Sequence, residues 1–177
     1  EDFLFVSGSH PEGITYTTYE KIAKAAQLRR FKLILDTSAD FVPDLLKYRP
    51  YLIKPNDEEL AEWFGLINPS LEEIKDCGQK LLEKGAENVL VSLGEKGAIL
   101  FTPTETIHVT APKGEVVNTA CAGDTLLATF VGSQLLGLSD EQALIKAVAA
   151  GSSTAFRPGL TDFSDVPTLM QQIKRIS

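Results

Sequence analysis

The sequence predicts an α/β protein built on a mostly parallel sheet, and two patterns carry that prediction. Short apolar runs rich in Val, Ile, Leu and Phe alternate with longer segments whose apolar residues recur three and four apart. This alternation is typical of parallel strands buried on both faces and joined by helices. The 177 residues show no repeat or linker, so we expect a single domain over residues 1–177.

Each element follows from its local pattern. Buried strands are predicted at residues 3–6, 32–35, 51–53 and 89–92, and a hairpin at 98–101 and 106–109 has Pro103 in its turn. Amphipathic helices are predicted at 17–29, 43–47, 57–64 and 71–83, and Gly85 ends the last of them. A strongly apolar helix from Ala122 to Gly137 is predicted to be buried through Leu135 and Leu136. A capped helix follows from Ser139 to about 156, and an amphipathic segment closes the chain at 166–176.

Composition excludes several classes of function. Lys and Arg number 17 against 24 Asp and Glu, for a net charge of −7, so a positive surface for nucleic acid is not expected. No apolar run approaches the roughly 20 residues of a membrane span. Cys77 and Cys121 lack metal-ligand or disulfide-scaffold spacing, which favours a soluble protein of the reducing cytoplasm. The only histidines, His10 and His108, are expected to be solvated and to take no part in catalysis.

The stretch from Val116 to Thr125, VVNTACAGDT, is the most informative. It predicts a strand-like approach, then small residues and Asp124 in the first turn of a buried helix, whose free N–H groups bear partial positive charge. Such a turn binds a developing anion, and a carboxylate there is suited to take a proton from an attacking hydroxyl. Asp124 would equally serve as a helix cap. The local sequence leaves both interpretations open.

Two further stretches follow predicted strands, at the edge where open α/β sheets bind ligands. In KPNDEE, Asn56 and Glu59 lie three residues apart and offer the oxygen ligands that suit Mg²⁺ or its waters. The same pair also fits a capping box, which local sequence alone favours. The SLGEKG stretch from Ser92 to Gly97 predicts a flexible loop against which a nucleotide phosphate would rest, although a plain turn explains two glycines as well.

Together and in this order, the three stretches resemble the ribokinase-like sugar kinases of the PfkB family. KPNDEE resembles the family's N-x-x-E motif, SLGEKG its nucleotide loop and NTACAGDT its G-A-G-D signature. The opening SGSHPEG resembles a turn of the branch that phosphorylates sugar phosphates, the 1-phosphofructokinases and tagatose-6-phosphate kinases. The resemblance implies a three-layer α/β/α core. It covers the whole chain but only the C-terminal part of such an enzyme, so we expect the N-terminal part of the fold to be absent.

The resemblance also implies roles for the matched residues. Asp124 is the expected catalytic base, and the backbone N–H groups of Ala122, Gly123 and Asp124 are the expected anion hole. Asn56 and Glu59 are expected to organise Mg²⁺ and the ATP phosphates. The segment 150–157 resembles the adenine side of the site, with close helix packing as the alternative. The expected nucleotide-binding residues are Lys54, Asn56, Ser92, Gly94, Gly97, Asn118 and Thr119.

The implied activity is transfer of the γ-phosphoryl group of ATP to a hydroxyl of a phosphorylated ketohexose, with fructose 1-phosphate first and tagatose 6-phosphate second. The resemblance leaves open a monovalent cation and a homodimer. One position departs from the family: Cys121 replaces the first glycine of the signature, where a Cβ would shift the anion hole or be tolerated as a small residue. A non-catalytic nucleotide-binding module on the same scaffold is therefore the alternative function.

Overall fold

The computed structural model describes residues 2–9 and 12–177. The chain divides into two compact units, one comprising residues 1–91 with Phe101–Glu105, and the other comprising Ser92–Leu100 with Thr106–Ser177. The expectation of one domain over 1–177 stays a prediction beside this division. His10 and Pro11, in the SGSHPEG stretch, lie outside the described residues.

Six strands form one sheet in chain order, which confirms the predicted α/β class and its mostly parallel sheet. Pairing is parallel from the first strand to the fourth, with Phe3 opposite Lys32, Ile34 opposite Leu52, and Ile53 opposite Val89. The last two strands are hydrogen-bonded neighbours joined by residues 102–105, as the hairpin prediction required. The strands are β1 (Phe3–Ser7), β2 (Lys32–Asp36), β3 (Leu52–Ile53), β4 (Val89–Ser92), β5 (Ala98–Phe101) and β6 (Thr106–Val109).

Helices connect the strands of the first unit, as parallel pairing demands. Their apolar faces supply buried residues such as Ala23, Leu60 and Leu81, and these accompany the buried Leu–Ile–Leu run at the centre of β2. The helices of this unit are α1 (Tyr16–Arg29), α2 (Val42–Leu45), α3 (Asp57–Phe64) and α4 (Leu71–Glu83).

The second unit is dominated by two helices, α5 (Ala122–Leu135) and α6 (Asp140–Ala155). Burial of α5 is confirmed as far as Val131 but is wrong for Leu135 and Leu136, which are exposed. The composition of one helix does not specify how far a neighbouring element covers it, so the pattern overestimates the buried length.

The end of the chain differs from prediction. Helix α7 (Val166–Met170) covers only the first part of the expected segment. Arg175 instead forms an antiparallel bridge with Val109, and the backbone of Ile176 donates to the carbonyl of His108 at 2.7 Å. The N–H groups of Gln172 and Ile173 still make turn bonds, to the carbonyls of Leu169 and Met170, and from Lys174 onward the backbone pairs with β6 and the residue that follows it. His108 is consequently buried, so the prediction of a solvated side chain is wrong for this histidine.

Candidate active site

Helix α3 begins with a capping box formed by the predicted metal-binding pair. The backbone N–H of Glu59 donates to Asn56 Oδ1 at 2.8 Å, and the backbone N–H of Asn56 donates to Glu59 Oε2 at 3.0 Å. The capping-box interpretation of Asn56 and Glu59 is thus confirmed. The capping box still leaves one oxygen available to a metal ion, because Glu59 Oε1 makes no hydrogen bond within residues 2–9 and 12–177.

Lys54 follows β3 and forms a buried ion pair. Its Nζ lies 3.1 Å from Asp36 Oδ1, and the side chains are 7% and 13% exposed. Asp36 ends β2, so parallel pairing of β2 with β3 brings the two residues to the same edge of the sheet. Sequence reasoning missed Asp36, although its position directly after an apolar strand is the signal that selected Lys54. The ammonium of Lys54 is therefore held by the protein itself.

The predicted phosphate loop contains a hydrogen-bonded turn, which agrees with the plain-turn alternative, and its contact with a phosphate stays a prediction. Residues Gly94–Lys96 form a 3-10 turn, and the backbone N–H of Leu93 donates to the carbonyl of Gly97 at 2.9 Å. Gly97 has a φ of 91°, and a Cβ built there would lie 1.9 Å from the carbonyl oxygen of Val109. Close approach to β6 therefore requires glycine at this position. Gly94 is exposed, and Ser92 is half-buried at the end of β4.

His108 helps to hold this loop from β6. Its Nε2 lies 3.3 Å from the carbonyl oxygen of Lys96, one residue before Gly97. The ring is buried, which places it inside the second unit. A lone histidine in a strand gives no sequence signal for such a contact, because the contact depends on where the loop meets β6.

Asn118 organises the segment that precedes α5. Its backbone N–H donates to the carbonyl of Ala155, and its Oδ1 accepts from the backbone N–H of Ala120 at 2.9 Å. The segment is irregular and exposed at Val116 through Thr119, so the predicted strand-like approach is wrong. Its backbone is satisfied by the end of α6 and by its own turn, which removes the need for a strand partner.

Cys121 adopts a backbone conformation that favours glycine. It is the N-cap of α5 with φ 62° and ψ 4°, in the left-handed region. The Cβ therefore leaves the backbone path intact at a conformational cost of about 1–2 kcal/mol. Its thiol is free and exposed.

The first turn of α5 carries the predicted anion hole and base. The N–H of Ala122 already donates to the carbonyl of Thr119 at 3.2 Å, so its predicted role as a donor is not available in this structure. The N–H groups of Gly123 and Asp124 have no acceptor within the described part of the chain. The carboxylate of Asp124 is exposed and makes no cap hydrogen bond. Asp124 thus makes no capping hydrogen bond, although it is the acidic residue in the first turn of α5, and its oxygens are available to a ligand.

The segment 150–157 forms the end of α6, where small residues permit close packing. A Cβ built on Gly151 would lie 3.0 Å from the carbonyl oxygen of Ala122. Ser153 donates to Asp165 Oδ1 at 2.5 Å, and Arg157 Nη2 lies 2.9 Å from Asp165 Oδ2. Burial opposes ionisation of Asp165, but these hydrogen bonds outweigh it and lower the pKa of that carboxyl. The close approach of Gly151 to Ala122 confirms the alternative that segment 150–157 serves close helix packing.

Two kinds of feature are missing from the residues that the structure describes. Among them, no group of three or more His, Cys, Asp or Glu side chains is arranged to hold a metal ion. No helix in the same ranges is both long enough and apolar enough to cross a membrane. Mg²⁺ commonly binds through one or two carboxylates together with substrate phosphates, so the donor set at Asn56 and Glu59 fits that ion.

Comparison with known proteins identifies the family. Residues 1–168 match the model of the pfkB family of carbohydrate kinases. The chain is 50% identical over 173 residues to a D-tagatose-1-phosphate kinase of Bacillus licheniformis, covering 97% of this chain and 57% of that protein. It is 38% identical over 173 residues to a 1-phosphofructokinase of Bacillus subtilis, covering 98% and 57%.

A solved structure of a related kinase has the same fold over the matched part. Phosphofructokinase-2 from Escherichia coli, crystallised in complex with potassium, superimposes with a TM-score of 0.87 at 26% identity, over 96% of this chain and 56% of that one. The chain thus spans somewhat more than half the length of the relatives it matches. It belongs to the pfkB family of carbohydrate kinases.

Proposed function

We propose that the protein carrying this chain transfers the γ-phosphoryl group of ATP to a hydroxyl of a phosphorylated ketohexose. The observation that carries the proposal is the first turn of α5, where an exposed carboxylate and two N–H groups make no hydrogen bond to any residue that the structure describes. Membership of a carbohydrate kinase family and the names of the relatives support this assignment.

In this proposal Asp124 accepts the proton of the acceptor hydroxyl as its oxygen attacks the γ-phosphorus. A carboxylate in hydrogen-bond reach of the hydroxyl is the usual base for this reaction. The N–H groups of Gly123 and Asp124 stabilise the negative charge on the phosphoryl oxygens, assisted by the partial positive charge at the start of α5. Cys121 supports this arrangement because it keeps the left-handed conformation of a glycine.

Nucleotide binding is proposed for two groups of residues, each considered within its own unit. Gly94 and Lys96 expose a backbone turn and an ammonium group, while Asn56 and Glu59 would hold Mg²⁺. When bound, that ion neutralises charge on the phosphates of ATP. Glu59 Oε1 is the oxygen left over by the capping box, so it is the donor that we assign to the ion or its waters. The remaining proposed contacts are Lys54, Ser92, Gly97, Asn118 and Thr119, and a monovalent cation is a further proposal, supported by the potassium complex of the structural relative.

Fructose 1-phosphate is the first proposed substrate. Tagatose 1-phosphate is the second, because the relative at 50% identity is named a D-tagatose-1-phosphate kinase. The two sugars differ only in the configuration of one hydroxyl. Both carry a phosphate at C1 and leave the hydroxyl at C6 free. Tagatose 6-phosphate, the second choice from the sequence, is named by neither of the two relatives described above.

The test is a coupled assay of ADP release by the protein carrying this chain, with MgATP and each ketohexose phosphate in turn. We expect turnover that requires a ketohexose 1-phosphate and is abolished in Asp124→Asn. Nucleotide binding without turnover on any phosphorylated ketohexose would favour the non-catalytic binding module instead. Turnover on unphosphorylated sugars alone would contradict the proposed substrate class.

A further inference from the structure

The first turn of α5 receives no support from a cap of its own. Helices α3, α4 and α6 each begin with a complete capping box, whereas α5 begins at Cys121 with no side-chain cap hydrogen bond. Besides the turn's own backbone hydrogen bonds, contacts with other parts of the second unit support Gly123 and Asp124. Gly151 supplies packing against Ala122, as described above.

Thr154 supplies the polar part of this support. It lies in the last turn of α6 and is 2% exposed. Its hydroxyl donates to Thr125 Oγ1 at 3.1 Å and accepts from the backbone N–H of Thr161 at 3.2 Å. Because donor and acceptor are both engaged, the orientation of this buried hydroxyl is specified from two sides.

The bond between Thr154 and Thr125 affects the candidate site because Thr125 lies beside the proposed catalytic base. Thr125 follows Asp124 directly and lies in the same turn of α5. A bond that fixes the Thr125 side chain restricts the backbone that carries the Gly123 and Asp124 N–H groups. Misplacement of reacting groups by about 1 Å costs on the order of 100-fold in rate.

We propose that Thr154 is a positioning residue that fixes the first turn of α5 through the hydroxyl of Thr125. The proposal rests on the proposed function of that turn and deepens it. Thr154 contacts neither substrate nor nucleotide in this scheme. Its hydroxyl keeps the base and the two N–H donors in the arrangement needed when the phosphoryl group is transferred, so its removal should lower kcat more than it raises KM.

The experiment compares Thr154→Val, which removes the hydroxyl while keeping the shape, with Thr154→Ser, which keeps the hydroxyl. Both are made in the protein carrying this chain. We expect kcat to fall about 10-fold or more in the Val variant, with KM for MgATP changed by less than about 3-fold, and to recover in the Ser variant. Thr129→Val is the matched control, because Thr129 is a buried threonine one turn further along α5 without a side-chain hydrogen bond in the described residues.

A second variant keeps the test valid if Thr154→Val folds poorly. Thr125→Val removes the other half of the bond at a half-buried position. We expect it to lower kcat by the same factor, and the double variant to lose no more, because the two side chains act through one bond. Equal kcat in Thr125→Val and Thr129→Val, or a Thr154→Ser variant as slow as Thr154→Val, would overturn the positioning role.

Asp124→Asn, assayed alongside, separates the two proposals. Loss of turnover in Asp124→Asn with unchanged kcat in Thr154→Val would overturn the positioning role alone. Retained turnover in Asp124→Asn would overturn the proposed function of the turn and the positioning role together.

Discussion

The buried pair of Lys54 and Asp36 permits a quantitative prediction of stability. Asp36→Asn removes the carboxylate 3.1 Å from an ammonium that is 7% exposed. Removing one partner of a buried ion pair costs about 3–5 kcal/mol, because the remaining charge stays desolvated. We expect a loss near 3 kcal/mol in the free energy of unfolding, the lower end, because the Asn amide oxygen still accepts one hydrogen bond from Lys54.

The assay is urea unfolding followed by circular dichroism and by the fluorescence of Trp63, the only tryptophan. Glu72→Gln is the control, since its pair with Lys75 is exposed, with side-chain exposures of 82% and 28%, and exposed pairs contribute about 0–1 kcal/mol. Adding Lys54→Met to Asp36→Asn should cost less than the two single changes summed. A loss in Asp36→Asn no larger than in Glu72→Gln would refute the buried pairing.

Three further predictions concern other residues. Gly97→Ala should destabilise by about 3 kcal/mol or more, because its Cβ would overlap the carbonyl oxygen of Val109 at a φ of 91°; urea unfolding near the stability of the parent would contradict this. Cys121→Gly should stabilise by about 1 kcal/mol by removing the strain of a Cβ at φ 62° and should leave turnover near that of the parent. Destabilisation would refute the strain argument, and a large gain of turnover would refute tolerance of the thiol. Hydrogen bonding, first from Tyr48, lowers the pKa of Glu20 to about 2. A depressed carboxyl pKa stabilises the fold above its unfolded value, and that contribution is lost as pH falls from about 4.5 to about 2. Glu20→Gln should therefore flatten acid destabilisation in that window, and an unchanged pH profile of the unfolding midpoint would be the contrary result.

The sheet was predictable because its signals are local. Buried parallel strands appear as short apolar runs, and β2, β4, β5 and β6 lie within one residue of their predicted bounds. The failure at the C-terminus has a different origin. Residues after Met170 have a helical pattern, but from Lys174 onward the backbone pairs with β6 and Thr110, and such a choice between two partners depends on tertiary distance.

The candidate site was predictable in its residues and less so in its contacts. The capping box of Asn56 and Glu59 follows from spacing within one turn, so local reasoning found it. The partner of Lys54 lies on another strand, and the partner of Thr154 lies on another helix. The lack of a hydrogen-bond partner for Asp124 among the described residues also required the structure, because a carboxylate at that position fits a cap and a base equally well.

The most direct test of the central claim is the coupled turnover assay of Asp124→Asn beside the parent protein, with MgATP and fructose 1-phosphate or tagatose 1-phosphate. The substitution keeps the shape and removes the proton acceptor, so we expect loss of turnover on the order of 100-fold or more, with MgATP still bound and the fold unchanged by circular dichroism. Turnover equal to that of the parent would contradict the assignment of Asp124 as the catalytic base.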